Sequence, residues 1–254
     1  MSATDKPLLS VRDLKKHFPI KGGILGRTQA MVQAVDGVSF DVRAGETLGI
    51  VGESGCGKST TAKLLIGLVD RDEGDIDLGG KSLGRDISLR ALRRDIQMVF
   101  QDSYASLNPR MTILDSIAFG ARVQGLDDPA GRARRLMARV GLDPDRFAGR
   151  YPHELSGGQR QRINIARALV MSPKVVVLDE AVSALDKSVE AQVLNLLSDL
   201  RAEFGLTYIF ISHDLNVVRY ISDRILVMYL GEVVELAPVD SIWAQQAHPY
   251  TRSL

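Results

Sequence analysis
The sequence has a single cysteine, Cys56, in 254 residues. That excludes an internal disulfide and suits a reducing compartment. No run approaches the roughly 18 uninterrupted apolar residues that a membrane-spanning helix needs. If the chain works at a membrane, another chain must do the spanning. The opening stretch, Met1 to Lys6, is polar and of mixed charge and lacks the apolar core of a secretory signal. An excess of one charge is missing too: 32 Lys and Arg face 31 Asp and Glu, for a net +1, which is no electrostatic footprint for nucleic acid. There is no internal repeat and no low-complexity segment. What remains, 45% hydrophobic and 25% charged, is an ordinary globular composition. The length allows one large core or two modest domains.

Leu8 to Leu14 and Val35 to Val42 alternate apolar with polar residues and read as half-buried strands. The Gly-rich basic stretch between them, Lys21 to Arg27, reads as an exposed loop. Glu46 to Val51 predicts a strand, followed by a tight loop and a helix from Lys58 through Val69. Ile96 to Phe100 predicts another strand. Thr112 to about Val140 is helical in period, broken at Gly125 and Pro129, and Ser156 to Met171 is helical until Pro173. Val175 to Leu178 and Tyr208 to Ile211 read as strands buried on both faces of a parallel sheet, separated by a helix over Ser188 to Phe204. Ile225 to Tyr229 and Glu232 to Leu236 flank a Leu-Gly turn and predict a hairpin. The alternation makes the fold α/β with a helical insertion near the middle.

The segment Gly52-Glu53-Ser54-Gly55-Cys56-Gly57-Lys58-Ser59 matches G-x-x-x-x-G-K-[ST] in full, with a strand before it and a helix after it. Glycines let successive backbone N–H groups turn inward onto phosphate oxygens, and the helix start adds its positive dipole end. Lys58 is placed to neutralise the β and γ phosphates, and the Ser59 hydroxyl to ligate Mg²⁺. A chance Gly-rich turn with a surface lysine is the rival reading, and the strand-loop-helix context argues against it. Cys56 reads as a small side chain filling a loop position rather than a redox group.

Val175 to Leu178 runs into Asp179-Glu180, two carboxylates at a strand end, where open α/β sheets gather their ligands. Asp179 suits Mg²⁺, and Glu180 suits the general base that polarises an attacking water. Alone this pair is weak, since a solvated strand end is the default. The phosphate loop strengthens it.

Leu155-Ser156-Gly157-Gly158-Gln159 places a good N-cap and two glycines at a helix start, a second anion-type terminus. This pentapeptide closely resembles the signature motif of ABC ATPases. The resemblance covers nearly the whole chain and implies a P-loop NTPase core of mainly parallel sheet, an N-terminal antiparallel β subdomain and a helical subdomain. Residues 1–101 and 166–254 would form the core and 102–165 the helical part. It implies ATP and Mg²⁺ as ligands. It extends the nucleotide contacts over Gly52 to Thr60, gives the partner's nucleotide to Ser156, Gly157, Gly158 and Gln159, and makes Asp186 part of the interface loop Ser183-Ala184-Leu185-Asp186. Phe18 lies where the family stacks an aromatic ring on adenine, with His17 as the alternative. Gln101 resembles the Q-loop glutamine that senses Mg²⁺ and the γ-phosphate, and His213 the switch histidine.

Three stretches, Ala34 to Phe40, Gln101 to Thr112 and His248 to Arg252, are similar to the oligopeptide, dipeptide and nickel importer branch, as is a long loop from Pro19 to Ala34. That branch implies a subunit at the cytoplasmic face of the inner membrane. Its partners would be a second ATPase subunit, identical or different, two transmembrane permeases and, indirectly, an extracytoplasmic substrate-binding protein. The rivals are a non-transport ABC ATPase of DNA repair or translation, disfavoured by the single phosphate loop and short insertion, and a non-hydrolysing regulatory subunit, disfavoured by Glu180 and His213. Ala181 and Ser103 depart from prolines frequent in the family, which loosens two loops without removing a charge. The chain stops just after His248-Pro249-Tyr250-Thr251-Arg252, where many relatives continue, as in a trimmed chain or a short member.

Overall fold
A computed structural model describes residues 6–22 and 27–254. In chain order it contains β1 (Leu9–Gly22), β2 (Arg27–Val42), β3 (Thr47–Val51), α1 (Lys58–Leu65), β4 (Glu73–Leu78), β5 (Lys81–Ser82), α2 (Leu89–Asp95) and β6 (Ile96–Val99). There follow α3 (Ile113–Val123), α4 (Pro129–Arg139), α5 (Pro144–Phe147), a 3₁₀ turn (Pro152–Glu154), α6 (Gly157–Leu169), β7 (Val175–Asp179) and α7 (Lys187–Phe204). The last elements are β8 (Thr207–Ile211), α8 (Leu215–Ile221), β9 (Arg224–Tyr229), β10 (Glu232–Pro238), α9 (Val239–Ala244) and α10 (Pro249–Ser253). The chain forms two compact units. One comprises the described residues up to Arg93 with Ile209–Leu254, and the other Arg94–Tyr208.

In the first unit, four strands form an antiparallel sheet in the order β2-β1-β4-β5. Its inner face buries Leu9, Val11, Leu14, Val38, Phe40 and Ile76, each worth about 1.5–3 kcal/mol when fully removed from water. The first expectation to fail lies here. Lys21 to Arg27, and the longer Pro19 to Ala34, read as loop, yet β1 and β2 continue pairing through Pro19↔Met31, Ile20↔Ala30 and Gly22↔Arg27. Backbone ladder bonds carry this arm, while Ile20, Met31 and Val32 on it are exposed, so no burial pattern announces it. Residues 23–26 of the expected loop lie outside the described residues. The same unit contains β3 parallel to β9, and β9 antiparallel to β10 as the expected hairpin. Helix α1 ends at Leu65 rather than Val69, because the backbone turns at Gly67 with φ 63°, an ordinary glycine stop.

In the second unit, β6 and β7 pair in parallel from Ile96↔Val175 to Val99↔Leu178. Every residue of β7 is buried, as a strand covered on both faces requires. The expected break at Gly125 and Pro129 separates α3 from α4, and Asp128 caps α4 by accepting from the Gly131 N–H. Both helices pack with α6. Helix α7 buries one stripe, Val193, Leu194, Leu197 and Leu200. The chain returns to the first unit within β8. The result is the expected α/β class, with an antiparallel sheet, parallel strands and a helical cluster. Among the described residues no helix is long and apolar enough to cross a membrane.

Candidate functional site
Strand β3 delivers the chain into the loop Gly52 to Gly57, and α1 leaves it. Gly57 occupies the N-cap position with φ 109° and ψ −5°, and no side chain caps the helix. A Cβ there would sit 2.3 Å from the Ala34 carbonyl oxygen, and one at Gly52 2.2 Å from that of Met228. Only glycine permits both the conformation and the approach. Lys58 is 5% exposed, and its ammonium donates to the carbonyls of Gly52 at 2.6 Å and Glu53 at 2.8 Å. The Cys56 sulfur lies 3.8 Å from the same nitrogen, and the Cys56 carbonyl accepts from Gly231 N–H at 3.0 Å. A buried cation held by two carbonyls at the start of an uncapped helix is the arrangement a polyphosphate can exploit. Ser54 and Gly55 are exposed at the rim, whereas Ser59 and Thr60 are half-buried on the first turn of α1.

In the second unit Asp179 ends β7 and is 5% exposed. Glu180, the next residue, has φ 47°, a left-handed conformation unusual for a side chain with a Cβ. Its carboxylate accepts from the Gln101 side-chain amide at 2.8 Å. Gln101 follows β6 and Glu180 follows β7, so the parallel pairing of these strands brings the two groups together. The bond uses the amide nitrogen of Gln101, and the carbonyl oxygen is the other end of the same group. The Asp179 carboxylate and the Gln101 carbonyl are hard oxygen donors, of the kind that suits Mg²⁺, and in the first unit the Ser59 hydroxyl is a donor of the same kind.

Ser156 is the N-cap of α6. Its hydroxyl accepts from Gln159 N–H at 3.3 Å, while the Gln159 side-chain oxygen accepts from Ser156 N–H at 3.0 Å, a reciprocal capping box. A Cβ on Gly158 would meet Val189 Cγ1 of α7 at 2.5 Å, whereas Gly157 has only ordinary contacts. The body of α6 grips the segment after Gln101. Asn164, 1% exposed, donates to the Ser103 carbonyl at 3.0 Å and accepts from the Ser106 hydroxyl at 3.2 Å. Arg167 donates to the Ser106 carbonyl. Arg160 donates to the Leu155 carbonyl and lies 5.4 Å above the Tyr104 ring. The loop itself turns on Asp102, whose carboxyl is held below the usual range by the N–H groups of Ala105 and Tyr104.

Phe18 is 39% exposed on β1, with the Lys16 ammonium 5.5 Å from its ring centroid. The His17 ring faces Asp36 at 3.4 Å, so of the two rings Phe18 presents more open surface. Asp186 is exposed at the start of α7, where its carbonyl accepts from Glu190 N–H. The preceding turn is closed by Ser183, whose hydroxyl donates to the Glu180 carbonyl at 2.9 Å. His213 is exposed just past β8, and Ser212 before it donates its N–H to the Ile50 carbonyl at 3.3 Å. No motif in the sequence marks Arg160, Asn164 or Arg167, and Tyr250 enters only within the branch stretch His248 to Arg252. Arg160 directly follows the signature, and Asn164 and Arg167 stand about one and two turns beyond it on the same helix.

A family model described as "ABC transporter" matches residues 35–183. The glutathione import ATP-binding protein GsiA of Escherichia coli (strain K12) is 54% identical over 98% of this chain, which spans 41% of that protein's length. The oligopeptide transport ATP-binding protein AppF of Bacillus subtilis (strain 168) is 51% identical over 100% of this chain and 78% of its own. Among solved structures, the ATP-binding cassette MJ0796, a dimer bound to ADP and Pi, aligns with TM-score 0.77 and 28% identity, covering 91% of this chain and 98% of that one. The match over residues 35–183 takes in the phosphate loop, the Gln101–Glu180 pair and the capped helix start at Ser156, and the chain belongs to the ABC transporter family.

Proposed function
We propose that the chain is the ATP-hydrolysing subunit of an importer of di- or oligopeptides, working at the cytoplasmic face of the inner membrane. The observation that carries the hydrolytic part is the Glu180 carboxylate, held by the Gln101 amide directly after the buried Asp179. Lys58 would exchange its carbonyl partners for phosphate oxygens, and the loop from Gly52 to Thr60 would wrap the phosphates. Ser59, Asp179 and Gln101 would hold Mg²⁺, which when bound neutralises phosphate charge. Glu180 would take a proton from the attacking water, and His213 would meet the γ-phosphate. Phe18 would stack on the base. Ser156 to Gln159 and Asp186 would face the nucleotide of a second ATPase subunit, identical or different, so that ATP favours a closed pair.

Residues 102–165 would act as a helical subdomain that passes this closure to two transmembrane permeases, with an extracytoplasmic binding protein supplying the cargo. The 51% identity to AppF across the chain supports the peptide branch. Glu180→Gln should keep Mg-ATP binding and lose at least ~100-fold of turnover. Normal steady-state hydrolysis by that variant removes the role given to Glu180. For transport, the subunit is purified with the membrane chains that accompany it and assayed with candidate binding proteins. Stimulation by a peptide-loaded binding protein supports import, and hydrolysis without stimulation leaves only the ATPase.

A further inference from the structure
The stretch His248 to Arg252, similar to the importer branch in sequence, reaches the phosphate loop. The Tyr250 hydroxyl accepts from the backbone N–H of Glu53 at 2.8 Å. The Tyr250 ring lies against the ring of Tyr229, with centroids 4.3 Å apart. Its short helix is fixed from behind: His248 Nδ1 accepts from Tyr250 N–H at 3.2 Å, and the Glu235 carboxylate accepts from the N–H groups of Ala247 and His248 at 3.0 and 3.2 Å. Burial raises the Tyr250 phenol above its usual pKa, so it stays protonated at neutral pH.

The Gly52–Glu53 peptide unit is thereby held at both ends. Its carbonyl accepts from the Lys58 ammonium at 2.6 Å, and its N–H donates to Tyr250. A peptide plane held on one side only can rotate and take the Lys58 acceptor with it. Held on both sides, it sets where the ammonium rests and which way the following N–H groups point. Glu53 N–H is also withdrawn from the donors available to a ligand, so the cradle is defined by the amides beyond it.

We infer that Tyr250 is a positioning residue for the phosphate loop, raising affinity for nucleoside triphosphates by fixing the Gly52–Glu53 peptide. This rests on the nucleotide-binding reading above. Tyr250→Phe keeps the ring against Tyr229 and removes the hydroxyl alone. The variant should raise both the Kd for Mg-ATP and the KM by about fivefold, the weight of one ordinary hydrogen bond, with kcat unchanged. In the nucleotide-free protein its Glu53 amide should exchange with solvent faster than in the parent chain. An unchanged Kd for Mg-ATP overturns the inference, as does a fall in kcat without a change in KM. If the parent chain itself binds no Mg-ATP, the nucleotide reading falls, and the Glu53 exchange comparison still decides whether Tyr250 holds the loop.

Discussion
Helices α1 and α6 both begin at anion-type termini, but they begin differently. Helix α1 starts on Gly57 in a left-handed conformation with no side-chain cap, whereas α6 starts on Ser156 with a reciprocal cap to Gln159. An anion at α1 displaces no side chain from the helix start. An anion at α6 competes with the Ser156 hydroxyl for the Gln159 N–H, a bond worth about 1 kcal/mol. The first terminus is organised by the surrounding backbone, through the close approach to Ala34 and the pinned Gly52–Glu53 peptide. The second is organised by its own side chains and stays closed at rest. A site preset by backbone suits a ligand held throughout a cycle, and a self-capped one suits a ligand met only part of the time.

The two helix starts differ most in what their glycines tolerate. Gly57→Ala places a Cβ against a backbone oxygen and in a disfavoured φ, so nucleotide binding should be lost and the melting temperature should fall by several degrees. Gly158→Ala meets only a methyl of Val189, and its melting temperature should fall by less than half as much. Equal losses would mean that the two termini are equally rigid. A smaller effect separates the hydroxyls. Ser156→Ala should lose about 1 kcal/mol in a denaturant titration, whereas Ser59→Ala, which removes no cap, should lose under about 0.5 kcal/mol yet weaken the Mg²⁺ dependence of ATP binding.

The smallest effect concerns acid. Asp102 titrates below its usual range because it accepts the N–H groups of Ala105 and Tyr104. A depressed folded-state pKa adds stability that is present above the unfolded value, near 4, and is lost as pH falls through the lower folded value. Exchange of the Ala105 and Tyr104 amides should therefore quicken as pH drops below about 4, after correction for the intrinsic rate. Asp102→Asn should flatten that dependence.

Much of this was legible in the sequence. The phosphate loop, the run into Asp179-Glu180 and the Ser-Gly-Gly start of α6 are local patterns, and local physics places them. Strand β1 was legible only as far as Leu14. Its register shifts between Val11 and Leu14, again before Lys16 and again before His17, with Asp13 at φ 46°, and each shift resets the period-two alternation. Strand β4, Glu73 to Leu78, buries Ile76 and Leu78 among four polar or glycine positions, too thin a pattern to read. Helix α2 buries only Leu92. The grip of Asn164 and Arg167 on carbonyls some sixty positions away, and that of Tyr250 on a loop amide, depend on tertiary approach, which no spacing within a helix records.

The left-handed backbone at Glu180 carries a consequence for how such a chain drifts. A side chain with a Cβ at φ 47° costs about 1–3 kcal/mol, and glycine or asparagine would relieve part of it. The fold therefore leans against the very residue assigned to chemistry. A lineage released from selection for turnover would gain stability by replacing Glu180, one of five non-glycine positions with positive φ among the described residues.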